Sequence, residues 1–264
     1  MGWHVIGQGR DAGRSEAAEA AIRNECREGG KLEFLRANLS LMSETRTLAD
    51  KIKSGQSRID LLINNAGGIR DKKYVTPEGT EETFAANHIA PFLLTRELLP
   101  LIEATAAISP PESVRIIAVS SIAFANAAGG LNYGDIQHLE GNFRAGSVYC
   151  EAKLANQLFN VALNKRLAES GIVSQALVPG VVHTNFSSHG DEHIKQYVKE
   201  TPGLTSAEVA KTLVWLATSK ETGAPGGRMF YEMEEKPVPP HGKDEAAAER
   251  LWIETEQILA KLGY

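Results

Sequence analysis

"IDLLINNAG", residues 59–67, decides how the rest of the chain is read. Leu61, Leu62 and Ile63 are continuously apolar rather than alternating, the pattern of a strand covered on both faces. The run stops at Asn64, Asn65, Ala66 and Gly67. Side chains this small let a backbone approach a flat ligand closely. A tight turn explains the same residues equally well, so the neighbours must decide.

Working outward, strand-like runs recur at 3–7 (WHVIG), 32–39 (LEFLRANL), 114–120 (VRIIAVS), 172–178 (IVSQALV) and 227–232 (GRMFYE). Helix-like stretches at 15–28, 43–55, 80–106, 149–170, 205–219 and 243–262 separate them. In 149–170, Leu154, Leu158, Phe159, Ala162, Leu163 and Leu167 recur at a helical period. Thr205 with Glu208 is capping chemistry at a helix start. "EEKPVPPHG" (234–242) reads as a proline-rich turn. Strands alternating with helices predict a Rossmann-like α/β fold, a parallel sheet with helices on both faces. No repeat or linker divides the chain, so one domain over 1–264 is expected.

Composition narrows the class. In 264 residues the net charge is −5 with 42% hydrophobics, enough for a core, and no basic block suggests nucleic acid. No apolar run reaches the ~18 residues of a membrane span. Cys26 and Cys150 make neither a disulfide framework nor a zinc cluster, and no metal site is expected. Such cysteine usage fits a reducing compartment, the cytoplasm. The first residues read as a strand rather than a signal peptide.

In a sheet of this kind ligands bind beyond the carboxyl ends of the strands. Each end carries something there. "SSIA" (120–123) offers a serine hydroxyl to a substrate oxygen; a helix cap or turn is the plainer reading. "YCEAK" (149–153) puts Tyr149 and Lys153 on one helix face. A nearby ammonium stabilises a phenolate, making the pair a general acid or base; a surface tyrosine and an unrelated lysine is the alternative. Pro91, four residues after Asn87, has no N–H for the Asn87 carbonyl, which must find another donor or mark a kink. "PGVVHT" (179–184) redirects the chain after the fifth run and brings Thr184 to the same edge.

Taken together, "NNAG" (64–67), "NHIAPF" (87–92), "VSS" (119–121), "YCEAK" (149–153) and "PG" (179–180) resemble the short-chain dehydrogenase/reductase family over nearly the whole chain. The resemblance implies Tyr149 as the acid/base and Lys153 as the group that lowers its pKa and bonds the nicotinamide ribose. It implies Ser121 polarising the substrate carbonyl and Asn87 holding a relay water through its main-chain carbonyl. The cofactor would contact Asn65, Ala66, Gly67, Pro179, Gly180 and Thr184, with Asn38 and Leu39 beside the adenine. An Asn38 side-chain oxygen would accept the bond that the family's aspartate accepts.

The segment 7–11, "GQGRD", stands at the tip of the family's second strand. Gly9 occupies the position of the acidic residue of NAD enzymes, and Arg10 follows. NADP is therefore expected over NAD. The stretches 129–146, 87–95 and 250–259 resemble the retinol-dehydrogenase-like branch, whose substrates are lipophilic alcohols or carbonyls. The lid segment, 185–202, is polar for that branch. Helices 80–106 and 149–170 form a homodimer interface in many members, so a homodimer is expected.

The family's glycine-rich turn, TGxxxGxG, and the strand before it have no counterpart in these residues. The resemblance thus implies a sheet without its first strand and helix. A longer natural chain, a truncated relic, and a closed-up sheet that binds without catalysis are the three expectations, in that order. The leading function is an NADP-dependent alcohol/carbonyl oxidoreductase. A non-catalytic binding protein on the same scaffold is the alternative. A sugar-nucleotide epimerase ranks below both, since little chain remains for a nucleotide-sugar domain.

Overall fold

Each of the six apolar runs becomes a strand in the computed structural model, which describes residues 2–25 and 29–264. Cys26 and the end of the helix expected at 15–28 lie outside those residues. In chain order the elements are β1 (His4–Gly9), α1 (Ala12–Glu25), β2 (Lys31–Arg36), α2 (Met42–Gly55) and β3 (Leu61–Asn64). A split helix follows: α3 (Glu82–Phe84), a π-helical turn (Ala85–Ile89) and α4 (Ala90–Ala107). Then come β4 (Arg115–Val119), α5 (Ala145–Arg166), β5 (Val173–Leu177), α6 (Glu192–Glu200), α7 (Ser206–Thr218), β6 (Met229–Tyr231), β7 (Glu234–Lys236) and α8 (Glu245–Lys261).

The main sheet runs β3-β4-β5-β6-β7 and is parallel except for β7. Leu61 faces Arg115, and Arg115 faces Val173. β1 and β2 form a separate parallel pair, from His4 opposite Lys31 to Gly9 opposite Arg36. The described strands thus form two separate sheets, β1-β2 and β3 to β7.

Side-chain alternation sends successive residues of a strand to opposite faces. Ile116 joins the larger core, with Met42, Phe92, Leu98, Leu154, Phe159 and Leu251 from α2, α4, α5 and α8. Ile117 joins the smaller one, with Val119, Leu177, Phe230 and Leu216 of α7. Helices therefore cover both faces of the main sheet. α7 opens on a complete capping box between Thr205 and Glu208.

Three features depart from the sequence reading. The 80–106 helix is broken because Pro91 cannot donate and the ladder slips: the Ala90 N–H reaches Ala85 O, five residues back. The first three residues of the "proline-rich turn" are β7, joined to β6 through Glu232 and Met233 at φ 49° and 59°. Two left-handed residues make the tight hairpin turn, and nothing about Glu-Met advertises it. The lid contains a 3-10 turn (Asn185–His189) and α6, capped by Asp191 accepting from Ile194 N at 2.9 Å.

α8 covers the face shared by α4 and α5. Trp252 stacks on Phe159 (5.7 Å) and meets Phe92 edge-on (4.7 Å). Arg96 pairs with Glu256 at 2.6 Å, Arg166 with Glu249 at 2.9 Å, and His88 bonds Thr255 at 2.9 Å.

Candidate active site

The site grows from the end of β4. Ser120 N donates to Leu177 O at 2.8 Å, and Ser120 Oγ donates to Lys153 O at 3.2 Å, tying α5 to the strand end. Buried Lys153 donates from Nζ to Val119 O at 3.2 Å. One turn earlier on the same helix face stands Tyr149. The Lys153 ammonium lies 5.6 Å from its ring centroid. Ser121 caps the 3-10 turn Ile122–Asn126 by accepting from Ala123 N, and its hydroxyl acts on the Tyr149 phenol to lower its pKa.

Asn87 enters from the π-helical turn. Its Nδ2 donates to Thr83 O (2.7 Å) and Gly68 O (2.8 Å), and its Oδ1 accepts from Gly68 N (3.3 Å). These bonds lock the loop after β3 against the split helix. A Cβ on Gly67 would fall 2.5 Å from Asn87 Oδ1 and 3.2 Å from Lys153 Nζ. Glycine is the residue that fits, and Asn87 and Lys153 flank it. Ser121, Tyr149, Lys153, Asn87 and Gly67 thus come together from four separate chain segments.

Burial dominates the electrostatics. It drives the Tyr149 phenol far above its ordinary value, while the Ser121 hydroxyl pulls the other way. It lowers the Lys153 ammonium to about 8. The anticipated lowering of Tyr149 by Lys153 is therefore not what this arrangement gives: the ammonium bonds Val119 O, and desolvation of the phenolate outweighs it.

On the opposite rim, Gly180 takes φ 72°, and a Cβ there would meet the Tyr231 ring at 2.8 Å. Pro179 before it is half-buried, and exposed Thr184 caps the lid turn by accepting from Phe186 N at 3.2 Å. Phe186 stands 5.2 Å from the Tyr149 ring, a contact not singled out from the sequence. Its only signal was an aromatic residue in an otherwise polar lid. Beside Thr184 lies an open groove of about 610 Å³ lined by His183, Ser187, Lys195, Lys199 and Ser206.

The residues assigned to the adenosine end are placed differently from expectation. Asn38 Oδ1 already accepts from Ser40 N (3.3 Å) and Ser40 Oγ (2.7 Å), which closes an Asx turn and occupies the oxygen expected to face adenine. Leu39 packs against the main core. Asn65 is exposed, with Ala66 half-buried beside it. Arg10 pairs with Glu82 at 3.3 Å. Asp11 is committed to the start of α1, where its Oδ1 accepts from Arg14 N at 2.8 Å.

A nicotinamide dinucleotide fits this crevice at one end. The Gly67 cradle and buried Lys153, with N–H donors beyond the one on Val119, suit a ribose and its flat base. The glycine-rich turn that would present backbone N–H groups to a pyrophosphate has no counterpart in these residues, and the N-terminus of α1 is capped by Asp11 Oδ1. The cationic side chains nearby are Arg10, Arg14 and Arg70.

A family model described as short chain dehydrogenase matches residues 1–134. Retinol dehydrogenase 13 of Homo sapiens is 32% identical over 265 residues, spanning 98% of this chain and 77% of that protein. Retinol dehydrogenase 14 of Homo sapiens is 31% identical, spanning 99% and 80%. A crystal structure from Mycobacterium Paratuberculosis superposes with a TM-score of 0.68 at 28% identity, covering 97% of this chain and 84% of that one. A short-chain dehydrogenase from Sphingobium yanoikuyae in complex with NADPH shares the fold, with a TM-score of 0.61 at 21% identity, covering 81% and 74%. The split sheet, the strand-end residues and these likenesses lead to one conclusion: the chain belongs to the short-chain dehydrogenase/reductase family, in its retinol-dehydrogenase-like branch.

Proposed function

We propose that this chain is an NADP-dependent oxidoreductase that interconverts an alcohol and a carbonyl, with Tyr149 as the acid/base. The observation that carries the reading is the convergence of Ser121, Tyr149 and buried Lys153, whose ammonium lies 5.6 Å from the Tyr149 ring. The dinucleotide, when bound, supplies or accepts the hydride. The chain supplies position and the proton.

In the reducing direction a substrate oxygen takes hydrogen bonds from Ser121 and Tyr149. Ser121 Oγ already accepts from Ala123 N, which leaves its O–H to donate. The resting phenol is protonated, because burial raises it, so Tyr149 can give its proton to the developing alkoxide. The Lys153 ammonium, 5.6 Å from the ring, stabilises the phenolate left behind. Asn87 holds the Gly67–Gly68 backbone in place. Gly67, Lys153, Gly180 and Thr184 would hold the nicotinamide half. Arg10, with Asp11 occupied at α1, supports NADP over NAD.

The relatives' names point to lipophilic alcohols, and a lipophilic alcohol or carbonyl is the substrate class we propose. Among the described residues no helix is long and apolar enough to cross a membrane. We place the enzyme in the cytoplasm, on its cysteine usage.

Two measurements test the reading. NADPH at a hundred times its Kd should stabilise the fold by about 2.7 kcal/mol, seen as a raised melting temperature. Tyr149→Phe should keep that shift and lose turnover of any carbonyl the wild type accepts. Turnover should also fall as pH rises through about 8, where Lys153 loses its proton. A cooperative melt that NADPH leaves unmoved would give the non-catalytic reading instead.

A further inference from the structure

Residues 131–141 lie in the chain between Ser121 and Tyr149, and three other parts of the fold hold them. Tyr133 Oη donates to Ala247 O of α8 at 2.9 Å. Lys73, from the loop after β3, donates from Nζ to Leu139 O at 2.7 Å and to Gly141 O at 3.4 Å. The third tie runs to α5. Glu151 Oε2 accepts from Asn132 N at 3.2 Å and stands 3.3 Å from His138 Nε2. The His138 and Glu151 side chains are 16% and 17% exposed, so salt and water screen their charges little.

Glu151 lies two residues after Tyr149 and two before Lys153. Helix residues two apart do not face each other, so Glu151 points away from the face that carries the chemistry. α5 also opens without a side-chain cap, since Arg144 at its N-cap makes no such bond. The first N–H groups of such a helix have no partner within it, and its end frays. Tyr149 follows directly on that first turn. An anchor at Glu151 therefore acts close to where the helix is weakest.

The anchor depends on charge. His138 Nε2 is buried and forms no hydrogen bond, so it is the protonated ring that Glu151 draws in. Glu151 is foremost in raising the imidazole; burial opposes it, and Asp135 of the same segment and Glu81 before α3 add to the rise. Lys73 is spent on the two carbonyls. The attraction is thus present below the raised value and is lost as pH rises through it.

We propose that Glu151 and His138 are positioning residues, whose ion pair fastens the start of α5 to residues 131–141 and so fixes where Tyr149 delivers its proton. The catalytic half of this rests on the function proposed above.

The test compares the full chain with Glu151→Gln and His138→Lys at about pH 6 and about pH 9, on either side of an imidazole raised above ~6.5. Amide exchange over residues 146–150, corrected for intrinsic rates, reads the anchor without any turnover. Reduction of retinal with NADPH reads the chemistry. At about pH 6, Glu151→Gln should exchange severalfold faster there and lose about tenfold in kcat, with KM and the melting shift on adding NADPH unchanged. At about pH 9 the wild type should fall to the level of Glu151→Gln in both readouts. His138→Lys, cationic at both pH values, should then exceed the wild type. A merely structural Glu151 would leave the same gap at both pH values, and that result would overturn the proposal. So would exchange that quickens while kcat holds. If the wild type leaves retinal untouched, the function proposed above loses its substrate class, and exchange still decides the anchor: equal rates in wild type and Glu151→Gln at about pH 6 would sink it. Should Glu151→Gln fail to fold, His138→Lys that exchanges no more slowly than wild type at about pH 9 would do the same.

Discussion

Strands β4 and β5 and strands β1 and β2 are both parallel pairs, yet their surroundings differ sharply. Every residue of β4 and β5 is buried. β1 has no buried residue, and β2 has one, Leu32. α5, which follows β4, buries a long series from Ala152 to Phe159, whereas α1 buries Ser15 alone. The groups proposed to do chemistry stand on the dense pair. Positioning a proton donor to a fraction of an ångström needs a packed support.

The largest way to break this contrast is a truncation in the dense region. Phe92 is 1% exposed and packs against Phe159, Trp252 and His88. Phe92→Ala should lower the unfolding free energy by about 3–5 kcal/mol, the usual cost of such a cavity. Urea unfolding measures it. A loss under about 1 kcal/mol, within the range of an ordinary surface change, would mean that α4, α5 and α8 do not form the mechanical centre of the fold.

A second prediction uses two histidines of opposite sign. His88 is buried among Phe84, Phe92 and Phe159, and burial lowers it to about 3. The native state keeps it neutral while the unfolded chain protonates it below about 6.5. Its contribution is therefore complete above that pH and is lost as pH falls toward 3, at about 1.4 kcal/mol per unit. His138 runs the other way. The Glu151 carboxylate, 3.3 Å from its Nε2, raises it, with Asp135 and buried Glu81 adding to the same side. Its contribution is present below about 6.5 and is lost as pH rises through its higher native value. Stability against pH should thus sag at both ends. His88→Gln should flatten the acid limb alone, and His138→Gln the alkaline limb alone. A wild-type acid limb that survives in His88→Gln would assign it elsewhere.

The sequence exposed the dense region well because its signals are local. Continuous apolar runs such as 114–120 and 172–178 mark strands buried on both faces, and β4 and β5 fall inside them. The i, i+4 spacing of Tyr149 and Lys153 fixes a common helix face wherever a helix forms. Other features depend on which partner wins, and no single residue states that. Asn38 carries an oxygen fit for adenine, but Ser40, two residues on, reaches it first. Lys153 was expected to depress Tyr149, but the balance between attraction and desolvation is set by burial. Arg70 and Glu82 were passed over altogether: an arginine after "NNAGGI" and a glutamate opening a helix look like solvated charges until the fold sets them against Arg10.

The smallest predicted effect sharpens the contrast from the sparse side. Val5 on β1 is 51% exposed, although valine is a strong strand former. Val5→Ala removes apolar surface that water already wets, so unfolding free energy should change by no more than about 0.5 kcal/mol. A strand so lightly covered should also open on its own, because local opening is easiest where few buried contacts resist it. Amide exchange in β1 and β2 should then run ahead of exchange in β4 and β5, and Val5→Ala should hasten it only in the β1–β2 pair. If Val5→Ala instead cost as much as a core truncation, or if all four strands exchanged together, the β1–β2 pair would be part of the same cooperative unit as the catalytic core.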